Sequence, residues 1–271
     1  MTGLGSPDLR KRCALSVGML LIAGCNFASD ESAGGGRGEG PGGREQPLAL
    51  TPREELQAGR EAYEEVLQEY RGRIMPTSHP DVVRCKRIVD RLARAAEIEP
   101  LQREIGLRIR GYVFEWEVSV VSERQVNAFC LPAGKMVVFT GIIPVAGSDG
   151  QLAAVLSHEM AHALAHHASE RIARERRGGS PLRSLSYDRY QESEADHIGV
   201  FLMAFGDYDT DEAVAFWMRM LRATGESQVP ELLSDHPTHR KRIEQLRKWA
   251  PQAKDAKRAF DEGRIAPAGA R

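Results

Sequence analysis

The pentapeptide His158-Glu159-Met160-Ala161-His162 restricts the fold more than any other part of the sequence. It lies within a segment rich in alanine and leucine, residues 149–171, that reads as a helix in its own right. Residues four apart on a helix share a face one turn apart, so both imidazoles can reach one ion. Glu159 then sits beside that ion without binding it. There it can take a proton from a water attacking a carbonyl and deliver it to the leaving nitrogen. A catalytic zinc takes three protein ligands and keeps one position open, so a second element has to cross this helix and bring another donor. The bland alternative is a surface helix carrying two solvated histidines.

The search for that donor leads downstream, to a second predicted helix over residues 187–205 that stops at Gly206. Glu192 and Asp196 fall one turn apart on it, so Glu192 can complete the ligand set while Asp196 accepts the second N–H of a liganding histidine and fixes its tautomer. Glu194 points away from that face and reads as a solvated carboxylate or as the partner of an arginine such as Arg189. His166 continues the four-residue spacing of His158 and His162, but eight residues of helix carry it about 12 Å from His158, too far for a shared ion. His166 and His167 are therefore expected to pack or to hydrogen-bond.

The rest of the chain organises around this pair. Arg10, Lys11 and Arg12 precede an apolar run, residues 13–23, that is too short to span a bilayer and ends at Gly24 and Cys25. That order predicts a signal peptide over 1–24, and Ile22-Ala23-Gly24-Cys25 is similar to a bacterial lipobox in which Cys25 carries the lipid. Residues 34–43 hold seven glycines in ten positions, so 25–50 is predicted to be a flexible tether between membrane and domain. Order should begin at Thr51-Pro52-Arg53-Glu54, a helix-start signature, with helices over 52–70 and 81–96. Between Tyr112 and Val121 apolar and polar residues alternate, and a second strand is expected over 135–140, the two forming a small antiparallel sheet about a turn at 127–132. A polar loop over 175–186, a helix from about 210 to 222 and a last helix from Pro237 that ends before Pro251 complete the reading. It assigns a mostly helical α+β domain to 51–249 and a flexible tail to 250–271. Cys85 and Cys130 can pair or stay as buried thiols. With 37 basic and 38 acidic residues, the chain has no field that would mark a nucleic-acid binder.

Taken together, HEMAH, Glu192 and Asp196 within QESEADHIG, the NAFCLPAG stretch at 127–134, and His236-Pro237 followed by Arg242-Ile243 resemble the zinc metallopeptidase family of HtpX and the CAAX prenyl endopeptidases, especially its soluble periplasmic members. The resemblance covers residues 52–248. It implies a gluzincin-like domain with the sheet beside the HExxH helix, one zinc per chain on His158, His162 and Glu192, and Asp196 in support. It also implies that Asn127 and the strand at 135–139 hold extended substrate by strand addition. His236 has three roles open: stabilising the oxyanion, filling the free coordination site as a gate, or capping the helix that Pro237 begins. Pro132-Ala133-Gly134 departs from the family's PGG, leaving one position less free to take positive φ. The implied activity is cleavage of unfolded or misassembled envelope proteins by a lipid-anchored enzyme, placed at the outer membrane facing the periplasm. The competing reading is an envelope chaperone or assembly factor with a latent zinc site.

Overall fold

The structure is a computed structural model that describes residues 41–107, 109–177, 181–223, 232 and 240–265. Cys25, the signal segment and His236 lie outside the described residues.

Helix α1, Pro52–Glu69, starts where local chemistry requires: Thr51 accepts from the Glu54 backbone N–H while the Glu54 carboxylate accepts from Thr51 N at 2.7 Å. Helix α2, Pro80–Ala96, buries Val82, Cys85, Ile88, Val89 and Leu92 on one stripe, and the short α3 spans Glu99–Glu104. Three strands follow: β1 Glu117–Val121, β2 Ala128–Leu131 and β3 Lys135–Phe139. Then come α4 Ile142–Ala146, α5 Asp149–Leu164, α6 His167–Arg176, α7 Pro181–Phe205, α8 Asp211–Ala223 and α9 Arg240–Asp261.

The sheet corrects the expected hairpin. Its order is β1-β3-β2, with β1 parallel to β3 and only β2 antiparallel to it. The segment expected to be a turn contains β2 itself, and the tight turn falls at residues 132–134, where Ala133 takes φ 58° and Gly134 φ 88°. Ala133 thus adopts the left-handed conformation despite its Cβ. The outer side of β1 is covered, since Met75 donates to Val120 O at 2.8 Å and Ser122 to Arg73 O at 2.7 Å. Among the described residues, β2 is therefore the edge with an unpaired side, while β3 is central and cannot add a strand.

Helix α5 is buried almost all round, as its run from Gln151 to Ala161 requires, and it forms the axis of the domain. The sheet and α2 pack on one side, α7 and α8 on the other, and α9 lies across α7 and α8. Helix α7 can approach α5 closely because position 199 is glycine: a Cβ there would stand 3.2 Å from His158 N and 3.3 Å from its Cα. That crossing sets His158 opposite the face of α7 that bears Glu192 and Asp196.

Four further expectations change. The helix predicted over 149–171 is two helices, broken where His166 takes φ 54°. The polar loop is shorter than expected, since α6 runs to Arg176 and α7 starts at Pro181. Helix α9 continues through Pro251 to Asp261, so residues 250–261 are not a loose tail. Buried Ala250 and Ala253, together with a Thr210 hydroxyl bond to Ala250 O at 3.1 Å, hold the helix across the proline. Finally, the end of the supposed tether is docked: Gln46, Leu48 and Leu50 are buried. Cys85 and Cys130 are both free thiols. No helix among the described residues is long and apolar enough to cross a membrane.

Candidate metal centre

Helices α5 and α7 bring His158, His162 and Glu192 together. His158 Nε2 lies 3.2 Å from His162 Nε2 and 3.3 Å from Glu192 Oε2, and His162 Nε2 lies 3.4 Å from Glu192 Oε1. Ligands about 2.05 Å from a tetrahedral ion stand roughly 3.3 Å apart, which the His158–His162 separation matches; the two contacts to Glu192 run to different oxygens of its carboxylate, and one donor atom from each of the three residues lies within 4.8 Å of the others. The donors also match chemically, being two imidazole nitrogens and one carboxylate. Glu159 is buried on the same helix, beside His158 and outside the donor cluster. Its charge acts on both Cys130 of β2 and Arg242 of α9.

Each histidine is supported from behind. His158 Nδ1 lies 3.1 Å from Asp196 Oδ1, the contact expected from the one-turn spacing of Glu192 and Asp196. Arg242 of α9 in turn grips Asp196 with two bonds of 2.7 Å, reaches Glu192 Oε2 at 2.9 Å, and lies over the Trp217 ring 4.5 Å from its centre. Burial presses the His158 pKa down, but the carboxylates of Glu192 and Asp196 outweigh it and push it up to about 9. Burial instead drives the pKa of His162 well below its usual value. Asp196 stays below the usual carboxylate range despite burial, because Arg242 and His158 favour its charge. The two imidazoles thus differ in proton affinity, and an ion bound at both ring nitrogens would have to displace any proton held there.

The other expected site residues are also placed. Asn127 is buried at the head of β2, its side-chain oxygen accepting from Ala128 N at 2.9 Å and its carbonyl from Phe139 N at 3.0 Å. It therefore anchors the edge strand. Glu194 lies outside the donor cluster, and its partners are His167 and Arg44 rather than Arg189. His166 and His167 are hydrogen-bonding residues, and the nearer of the two, His167, reaches the metal ligand His162.

Sequence reasoning attached no role to Arg242, Trp217 or Arg44. Arg242 stands 46 residues from Asp196 and Arg44 stands 150 from Glu194, so no periodicity links them.

The model of Peptidase family M48 matches residues 84–182 and 177–250. The chain belongs to Peptidase family M48. Among curated proteins, this M48 chain is 31% identical over 229 residues to the mitochondrial metalloendopeptidase OMA1 of Schizosaccharomyces pombe, covering 76% of this chain and 64% of the relative. It is 30% identical over 230 residues to OMA1 of Saccharomyces cerevisiae, covering 74% and 65%. With the beta-barrel assembly-enhancing protease of Escherichia coli it shares 22% over 165 residues, 49% of this chain and 34% of that protein. The chain thus spans just under two thirds of the length of the OMA1 relatives named here.

Proposed function

We propose that this M48 chain is a zinc-dependent endopeptidase that cuts extended segments of unfolded or misassembled cell-envelope proteins. The observation that carries the reading is the convergence of donor atoms from His158, His162 and Glu192 within 4.8 Å of one another, with Glu159 buried beside them. Membership of the family and the metalloendopeptidase names of its relatives support it.

His158, His162 and Glu192 would hold a zinc ion, which when bound would supply a Lewis acid for activating water and polarising the scissile carbonyl. Glu159 takes the proton from the attacking water and hands it to the departing amine. Asp196, fixed by Arg242, keeps the His158 ring turned with Nε2 toward the ion. The free side of β2 offers backbone donors and acceptors to an extended chain, in the manner of strand addition, and Asn127 holds that edge in place. This moves the substrate-binding role from the strand at 135–139, which is internal, to residues 128–131.

The envelope substrate and the location are proposed from the N-terminal sequence. A basic cluster, a short apolar run and a lipobox at Cys25 would put the mature protein on a bacterial membrane surface, at the outer membrane facing the periplasm.

The deciding experiment incubates the chain with unfolded casein, alongside Glu159→Gln and chelator-treated samples. Cleavage by the parent, lost in both controls and restored to the chelated sample by zinc, is the expected result. Cleavage that survives Glu159→Gln would overturn the mechanism. Binding of casein without cutting, by the parent and by a His236→Ala variant alike, would favour the chaperone reading.

A further inference from the structure

Resting on the zinc reading above, we infer that Arg44, on the segment leading into the domain, is a positioning residue for the metal ligand His162, acting through Glu194 and His167. The two liganding histidines are supported differently. His158 is backed by Asp196 and Arg242, which belong to α7 and α9. His162 is backed by a longer chain of contacts that ends outside the helical core.

The tautomers along that chain follow from one another. His162 presents Nε2 to His158 and Glu192, so a metal bound there leaves the proton on Nδ1. His162 Nδ1 lies 2.8 Å from His167 Nδ1, which must then accept, and the proton of His167 is confined to Nε2. His167 Nε2 lies 3.1 Å from Glu194 Oε2 and donates to it. Glu194 is in turn gripped by Arg44, whose Nη2 donates to the same carboxylate oxygen at 2.7 Å. Each group fixes the proton of the one before it, and the arginine orients the terminal carboxylate.

The backbone is shaped to allow this. Residues five apart on a continuous helix point about 140° away from each other, so His167 could not face His162 if α5 ran on. The left-handed His166, φ 54°, ends α5 and swings His167 back toward the site. His166 is held by Glu55 at 2.8 Å and by the Tyr112 ring, whose centre is 3.8 Å from its own. A non-glycine residue at positive φ costs roughly 1 to 3 kcal/mol and persists where surroundings over-determine it.

Arg44 is not a casual surface contact. Its guanidinium also clamps Glu170, a fully buried carboxylate, through two bonds of 2.8 and 2.6 Å, and its side chain is only 14% exposed. Gln46 fills the next position, donating to Ala165 O at 2.6 Å, and the backbone N–H groups of Ala49 and Leu50 donate to Ser169 Oγ at 3.1 and 2.9 Å. Residues 44–50 therefore lie along α6 as a strap, and the strap contributes a side chain to the support of the metal.

The test measures zinc affinity of the full chain by competition with a chromophoric chelator, and records the visible spectrum of the cobalt-substituted protein. His167→Phe should weaken zinc binding about 10- to 100-fold, the usual range for a lost partner behind a ligand. Arg44→Gln should weaken it about 3- to 10-fold and shift the cobalt bands. The decisive sample is the double variant: Arg44→Gln should add nothing once His167 is Phe, because the two act in series. Parent-like affinity in Arg44→Gln, or an undiminished loss in the His167→Phe background, overturns the inference. Should Arg44→Gln fail to fold, Glu194→Gln, which keeps an acceptor for His167 and removes the charge, is read against His167→Phe by the same criteria. A parent that binds no zinc defeats the zinc reading itself, whereas a parent that binds zinc and ignores Arg44 defeats only this inference.

Discussion

Replacing Arg242 by Met isolates the cost of the buried charge cluster behind the metal ligands. Arg242 is 2% exposed and meets two carboxylates, Asp196 through two hydrogen bonds of 2.7 Å and Glu192 through an ion-pair contact of 2.9 Å. Methionine keeps most of the bulk against Trp217 but leaves both acids short of a cation. Removing one partner of such a buried pair costs about 3 to 5 kcal/mol. In a domain of this size each kcal/mol moves Tm by about 2 to 4 °C, so the metal-free variant should melt roughly 6 to 20 °C below the parent. Thermal unfolding followed by circular dichroism in the presence of chelator provides the reading. Since uncompensated charge carries the cost, Arg242→Lys should recover at least half of it. The pH dependence has a definite sign. Asp196 has a depressed folded pKa, so its bond to Arg242 contributes fully above the ordinary carboxylate pKa and is lost as pH falls through the folded value. The gap between parent and Met variant should therefore be full at neutral pH and narrow in acid. A Met variant within 3 °C of the parent, or a Lys variant as unstable as the Met, would refute the argument.

Three further outcomes are expected. Gly199→Ala should cost about 1 to 3 kcal/mol, because its Cβ would press on the His158 backbone at 3.2 Å, and zinc affinity should fall with stability; unchanged urea midpoints would contradict the close crossing of α5 and α7. Ala133→Gly should stabilise by roughly 0.5 to 1 kcal/mol, since φ 58° strains alanine and not glycine, and a loss on chemical denaturation would show that its methyl packing outweighs the strain. Glu170 is buried, which alone would raise its pKa, but Arg44 and Arg174 hold it down to about 2. Its pairing should therefore contribute on the order of 2 kcal/mol above about pH 4.5 and fade as pH falls toward 2, so the stability difference between parent and Glu170→Gln should shrink over that window in urea melts.

Much of the centre was legible in the residues themselves. A four-residue spacing places His158 over His162 whatever surrounds the helix, and the same spacing places Asp196 one turn beyond Glu192. The start of α1 was equally local, because Thr51, Pro52 and Glu54 satisfy one another within a single turn. Alternation pointed to a strand over 112–121, of which Glu117–Val121 is β1, and the apolar run after Lys135 pointed to β3, but neither pattern says which strand is the neighbour, so the parallel pairing and the position of β2 did not follow. The run of alanine and leucine likewise hid the break at His166, since left-handed backbone at a non-glycine residue is imposed from outside, here by Glu55 and Tyr112.

The sequence by itself determined the reactive centre, because the donor spacing of HEMAH and of Glu192 with Asp196 is a property of one helical turn. Tertiary structure decided what holds that centre: Arg242 from the last helix, and Arg44 from a glycine-rich stretch that composition alone would leave solvated. Long-range charge pairing obeys distance in space and leaves no period in the chain, so only the packing of α5, α7, α9 and the strap brings those arginines to their carboxylates.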